Sequence, residues 1–300
     1  MNYGITYMGS KSSIVHKICA VFPEAENFYD LFGGGFSITH FMIKNRKNDF
    51  KQFHFNEIRP GICKMIQGAI EGKYSYEKFK PDFITREKFL SDKEKNAYIK
   101  IVWSFGNNGK SYLFGKDIEG QKESLHNAVV FNKFDNFTKD VLKMDKFNEG
   151  YSIKDRRLFL KTRITKAGQQ LERLEQLERL QQLQQLERLE RLERLEFYST
   201  SYEKVKIKKN SVIYCDIPYQ GATDYGEFDH DKFFNWASEV DQPLYISEYN
   251  IDDPRFFLIW STDKRSLLSA KKDKLIKSEK VYSNKAGYHA YVKRFNNGVK

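Results

Sequence analysis

Short apolar and aromatic runs alternate with helix-like stretches along the chain, the pattern of an α/β protein built on a sheet. Val212-Ile213-Tyr214-Cys215 is apolar throughout, as suits a central strand. In the segment that follows, Asp216-Ile217-Pro218-Tyr219-Gln220-Gly221, proline and glycine forbid simple continuation, so the chain must turn at the strand's carboxyl end. Asn27 to Leu31 runs likewise into Phe32-Gly33-Gly34-Gly35-Phe36, ahead of an amphipathic helix carrying Ile38, Phe41 and Met42. Phe53-His54-Phe55-Asn56-Glu57-Ile58 alternates and reads as the next strand. Leu195 to Tyr202 and Pro243 to Tyr249 also have strand character, and Phe256 to Trp260 is a further apolar run. Ser12 to Val21 predicts a helix with Ser12 or Ser13 as N-cap and Ile14, Val15, Ile18 and Val21 on one face. Tyr225, Phe228, Asp229 and His230 introduce another, containing Phe233, Phe234 and Trp236.

From about Pro60 to Ala167 the pattern changes to helix-like and loop stretches rich in lysine and aromatics. Within it, Ile101 to Lys116 carries the Asn108-Gly109 signature of a turn between two aromatic segments. Asn107, Asn108, Lys110, Ser111 and Lys116 on such a loop offer amides for base edges and cations for phosphates; a core-facing hairpin with a solvated tip is the other reading. Residues 169–196 place leucine at every third position from Leu171 to Leu195. Leu, Glu, Gln and Arg are strong helix formers, so a long helix is predicted, about 40 Å if unbroken. Three residues advance about 300°, so the leucine stripe winds round the axis and is no leucine zipper. Such a stripe needs successive partners, with solenoid-like packing as the alternative. The expected organisation is residues 1–59 and 197–300 as two halves of one α/β domain, 60–168 as an insertion and 169–196 as a separate helical segment.

Three hundred residues with 40% hydrophobic content can bury a substantial core. The net charge of +11 points to a polyanion, because Lys and Arg that neutralise phosphates release condensed counterions; such charge also serves solubility. Cys19, Cys63 and Cys215 lack paired spacing, which argues against disulfides or a zinc site and for a reducing cytoplasm. Nothing reads as a signal peptide or a membrane span.

Asp216 offers two acceptors at a strand tip and Tyr219 a flat ring beside it, while Pro218 holds Ile217 extended so that its carbonyl is a further acceptor. An amino group on a planar heterocycle fits all three. The glycines after Asp30 clear side chains where backbone approaches a ligand closely. Glu57 ends the next strand, where such folds hold ribose hydroxyls; a surface acid is the alternative. Tyr7-Met8-Gly9-Ser10-Lys11, ahead of the first helix, is either an ordinary helix cap or an anion seat.

Together these residues resemble the Dam-like DNA adenine N6-methyltransferase family over most of residues 1–59 and 195–300. Asp216-Ile217-Pro218-Tyr219 is similar to its Asp-Pro-Pro-Tyr motif, with Ile217 in place of the first proline. Asp30, Phe32 and Gly34 match its Asp/Glu-x-Phe-x-Gly-x-Gly loop, with Phe36 where the last glycine is expected and Gly33 and Gly35 to relieve the crowding. Tyr7, Gly9 and Lys11 match its aromatic-x-Gly-Gly-Lys segment, with Ser10 replacing a glycine. Lys277 to Asn284 resembles its closing Glu-x-Leu-x-x-Asn strand, in which Glu279 and Asn284 read as structural. The resemblance implies a Rossmann-like S-adenosylmethionine-dependent methyltransferase sheet with a helical target-recognition insertion, double-stranded DNA as partner, and no metal. It further implies that Tyr7, Gly9, Lys11, Asp30, Phe32, Gly33, Gly34, Gly35, Glu57 and Asp216 bind the cofactor, with Lys11 against its carboxylate. Asp216, Ile217, Pro218 and Tyr219 would then carry methyl transfer to N6 of a flipped-out adenine, with the Asn107 to Lys116 loop on the DNA. Cytosine N4 methylation and a DNA-binding module without turnover are the alternatives.

Overall fold

The computed structural model describes residues 3–163, 174–189, 192–220, 228–265 and 276–296; Gly221, Tyr225 and Leu171, named above, lie outside the described residues. The chain divides into two compact units, one of Met1–Gly4, Ser10–Cys63 and Leu189–Lys300, the other of Ile5–Gly9 and Lys64–Arg188.

The first unit holds a seven-stranded sheet: β1 (Asn27–Asp30), β2 (Gln52–Asn56), β3 (Leu195–Tyr198), β4 (Ser211–Cys215), β5 (Leu244–Glu248), β6 (Phe257–Arg265) and β7 (Ile276–Ser283). The order is β3-β2-β1-β4-β5-β7-β6, with β3, β2, β1, β4 and β5 paired in parallel and β7 antiparallel to both β5 and β6. This is the expected α/β architecture. Successive β4 side chains alternate between faces, as strand geometry requires. Ile213 and Cys215 join Leu244, Ile246, Phe233 and Phe234 in one apolar cluster, beneath the helix His230–Glu239. Tyr214 instead meets Phe22, which also contacts Phe28 and Tyr245. Both faces are thus buried, which is why β4 reads as an unbroken apolar run. The three cysteines are free and buried.

The strand order reverses direction between β1 and β4, whose neighbours lie on opposite sides. In open α/β sheets ligands gather at the carboxyl ends of strands at such a switch point. The register brings Asp30 level with Phe55 of β2 and Tyr214 of β4, so the tips of all three strands share one rim.

The first helix is shorter than predicted, Val15–Ala20, and Ile14 stands at its N-cap without a side-chain bond. Neither Ser12 nor Ser13 is the cap, since the helix starts beyond both; the Ser12 hydroxyl instead accepts the Tyr3 N–H at 2.9 Å.

The second unit is helical among its described residues, with Arg86–Asp92, Ala97–Val102, Glu119–Phe131, Asn136–Leu142, Ile153–Arg163 and Glu175–Gln185. The turn between two aromatic segments in Ile101 to Lys116 is present in a shortened form: Ile101 and Val102 end a helix capped by Asn96, and beyond it Ser104 and Tyr112 form one antiparallel bridge, flanked by Phe105 N–H donating to the Ser111 carbonyl at 2.8 Å and Leu113 N–H to that of Trp103 at 2.9 Å. The Asn108 carboxamide accepts from the N–H groups of Lys110 and Ser111, so the Asn-Gly pair makes a tight turn between these two short paired stretches, too short to count as strands.

The leucine repeat is likewise not one helix throughout. Glu175–Gln185 is α-helical, Leu186–Arg188 and Leu192–Arg194 are 3-10 turns, and Leu195 is drawn into β3 opposite Phe53. Leu174, Leu177, Leu180, Leu183 and Leu186 are all buried. Because the stripe winds, the helix must be covered on several sides, and it lies inside its unit rather than on it. Its polar residues brace neighbours: Arg179 donates to the Val102 and Ser104 carbonyls at 2.7 Å each, Gln184 to that of Tyr74 at 2.8 Å, and Arg157 donates to Gln181 at 2.6 Å.

Candidate active site

The rim at the end of β1, β2 and β4 is assembled by backbone bonds. Leu31 N–H donates to the Tyr214 carbonyl at 3.0 Å and Gly33 N–H to that of Asn56 at 2.9 Å, so the glycine loop continues both strand pairings past their ends. Gly33 has no room for a side chain, since a Cβ there would strike the Phe55 ring. Gly34 N–H donates to Glu57 Oε2 at 2.8 Å, while Glu57 Oε1 accepts the Arg59 N–H at 2.9 Å. Glu57 thereby ties the loop to the tip of β2.

Phe36, where the resembled loop has glycine, takes a glycine-like backbone with φ 68°. Its ring points inward, fully buried and edge-on to Phe55 at 5.0 Å. The substitution therefore fills the core beneath the loop instead of crowding its outer side. Ile217 behaves similarly. It is buried in the cluster with Phe233 and Ile251, and the following Pro218 carbonyl is held by His230 Nε2 at 2.7 Å.

Asp30 is buried, with one oxygen accepting the Thr39 hydroxyl at 2.7 Å and Oδ1 lacking any partner. Burial pushes its carboxyl up to about 7, against the Thr39 bond, and the Asp216 charge adds to the rise. A buried orphan acceptor at a strand tip fits a cationic or N–H-bearing ligand group.

Lys11, Asp216, Tyr219 and Glu279 form the centre. Lys11 Nζ lies 2.8 Å from Asp216 Oδ1, 3.4 Å from Glu279 Oε1 and 4.7 Å from the Tyr219 ring centroid. Tyr219 donates its hydroxyl to Glu279 and packs edge-on against Tyr249 at 4.5 Å. Burial works against the Lys11 charge, but the two carboxylates outweigh it and hold the ammonium above lysine's ordinary pKa. Burial raises Asp216, opposed by Lys11 and reinforced by Glu279. Nearby, Glu248 accepts the N–H groups of Gln220 at 3.1 Å and Tyr249 at 2.6 Å, fixing the end of the Asp216 loop.

Of the residues singled out in the sequence, Lys11, Asp30, Phe32, Gly33, Gly34, Gly35, Glu57 and Asp216 to Tyr219 all belong to the sheet unit. Phe32 packs on Tyr202, Phe228 and Phe233. Tyr7 and Gly9 group with the helical unit, as do Asn107, Asn108, Lys110, Ser111 and Lys116. Asn107 is buried and spends its amide on the Ile101 carbonyl at 3.1 Å, whereas Lys110, Ser111 and Lys116 are exposed. Glu279 was read as structural yet stands in the central cluster; Thr39, His230 and Glu248 gave no signal. Among the described residues no group of three His, Cys, Asp or Glu is placed to hold a metal, and no helix is long and apolar enough to cross a membrane.

A family model described as D12 class N6 adenine-specific DNA methyltransferase matches residues 7–290. A search of curated proteins finds no significant match.

Proposed function

We propose how this chain, which belongs to the D12 class N6 adenine-specific DNA methyltransferases and so methylates adenine in DNA, divides that reaction among its residues. The family implies S-adenosylmethionine as donor, which supplies an electrophilic methyl group on a sulfonium. Asp30, with its unpartnered Oδ1, accepts from the donor's ammonium; the Gly33 to Gly35 backbone lies along it, and Glu57, whose oxygens retain lone pairs, accepts from ribose hydroxyls. Asp216 and the Ile217 carbonyl accept from the target amine and turn its lone pair toward the methyl group. Tyr219 stacks on the base, which leaves the duplex at a cost of a few kcal/mol. Catalysis on this reading is mainly positioning, so neither a covalent nucleophile nor a metal has a step to perform. Lys110, Ser111 and Lys116 contact DNA, with Asn107 and Asn108 shaping their loop.

One observation carries the reading: an orphan carboxylate oxygen, a glycine turn and the Asp216-Tyr219 pair occupy one rim at the point where strand order reverses. Transfer of radiolabelled methyl groups to adenine-containing duplexes, followed by mass spectrometry of the released bases, tests it. Label should appear in N6-methyladenine and vanish with Asp216→Ala; undiminished transfer by that variant rejects these roles.

A further inference from the structure

Lys11 covers one face of the Tyr219 ring. Its ammonium lies 4.7 Å from the ring centroid and 2.8 Å from Asp216 Oδ1, so a base that stacks on that face of the ring and approaches the carboxylate from there must displace it. The lysine side chain is 7% exposed, and an ammonium buried so deeply is strongly destabilising without an anion. Simple displacement would leave it stranded.

Glu279 offers a second seat. Its Oε1 lies 3.4 Å from the same ammonium, its side chain is 5% exposed, and it also accepts the Tyr219 hydroxyl. The glutamate is fixed on β7, where it pairs with Thr262 of β6, while the lysine stem is flexible. A small rotation of Lys11 shortens its longer contact at the expense of its shorter one. Lysine carries three donors and loses none of its pairing in the exchange.

We propose that Glu279 is a positioning residue that takes over Lys11 when the target amine takes Asp216, so that the base binds by exchanging one donor for another. The Tyr219 hydroxyl, bonded to the same glutamate, keeps the ring in place throughout. This proposal rests on the roles given above to Asp216 and Tyr219.

Glu279→Gln keeps an acceptor for Tyr219 but removes the charge that receives Lys11. It should raise KM for DNA about tenfold and leave kcat within about twofold, while Glu279→Asp recovers most of the loss. Lys11→Met combined with Glu279→Gln should be little worse than Lys11→Met alone, because without the cation there is nothing to hand over. Additive effects, or a Glu279→Gln variant losing kcat at unchanged KM, overturn the proposal. A crystal structure of the wild-type protein with an adenine duplex and a non-transferring cofactor analogue tests it without any variant: Lys11 should sit closer to Glu279 than to Asp216, and a lysine still on Asp216 refutes it. Wild-type protein that methylates adenine while its variants behave additively overturns the exchange alone; wild-type protein that transfers nothing to adenine overturns both it and the reading beneath it.

Discussion

In the sheet unit, the carboxylates of Asp30, Glu57, Asp216 and Glu279 gather near one rim with Lys11 among them, and one oxygen of Asp30 faces no partner. In the helical unit, by contrast, Arg179, Gln184 and Asn107 each turn a polar group onto a backbone carbonyl, and His126 does the same to Pro81 at 2.9 Å. Both units also leave buried polar atoms without a partner, Asp30 Oδ1 in the sheet unit and Gln176 Oε1 and Arg156 Nε in the helical one, so an orphan atom alone does not mark a site. What differs is convergence: the sheet unit's carboxylates perturb one another at one rim, whereas the helical unit's polar groups are spread along backbone they brace.

The largest expected effect breaks the sheet side of this contrast. Asp216→Asn keeps the side chain's size but weakens the acceptor, and should lower kcat for methyl transfer by about 10²–10³ with little change in the denaturation midpoint. A helical-side change should do the reverse. Leu180→Ala empties a fully buried position and should destabilise by about 2–5 kcal/mol, read from urea unfolding.

A pH experiment sharpens the contrast further. Asp30 keeps its proton to about 7 in the fold against an ordinary value of 3.8, so the native state binds more protons across that window and stability falls as pH rises through it. Asp30→Asn should flatten that fall, seen by comparing urea midpoints at about pH 5 and about pH 8, while weakening cofactor binding in calorimetry. The smallest effect concerns Phe36, whose left-handed backbone stores strain. Phe36→Gly and Phe36→Ala both lose a buried ring, but glycine should be the less harmful by about 1 kcal/mol in thermal melts, since it alone relieves that strain.

Much of this was legible along the chain. β4 announced itself because burial on both faces leaves no polar position, and the glycines after Asp30 because backbone must pass close to Phe55. Glu279 was not legible as part of the centre. It lies on a strand that neighbours β5 and β6, and only the folded-back β7 brings it to Lys11. The loop after Trp103 was legible in part: the asparagine before glycine does turn one aromatic segment back on the other, but the pairing stops at a single bridge because what precedes it is a helix with its own cap. The leucine array has high helix propensity from end to end, yet sheet pairing claims Leu195.

The helix Glu175–Gln185 has one more consequence. A slide by three residues would put leucine on leucine all along it, so apolar packing alone scarcely distinguishes one threading from the next. The choice falls to the interruptions in the repeat: Arg179 on two carbonyls, Gln184 on a third and Gln176 against His126 each work in a single alignment. In the most monotonous stretch of the chain, a few glutamines and one arginine are what make the thread count.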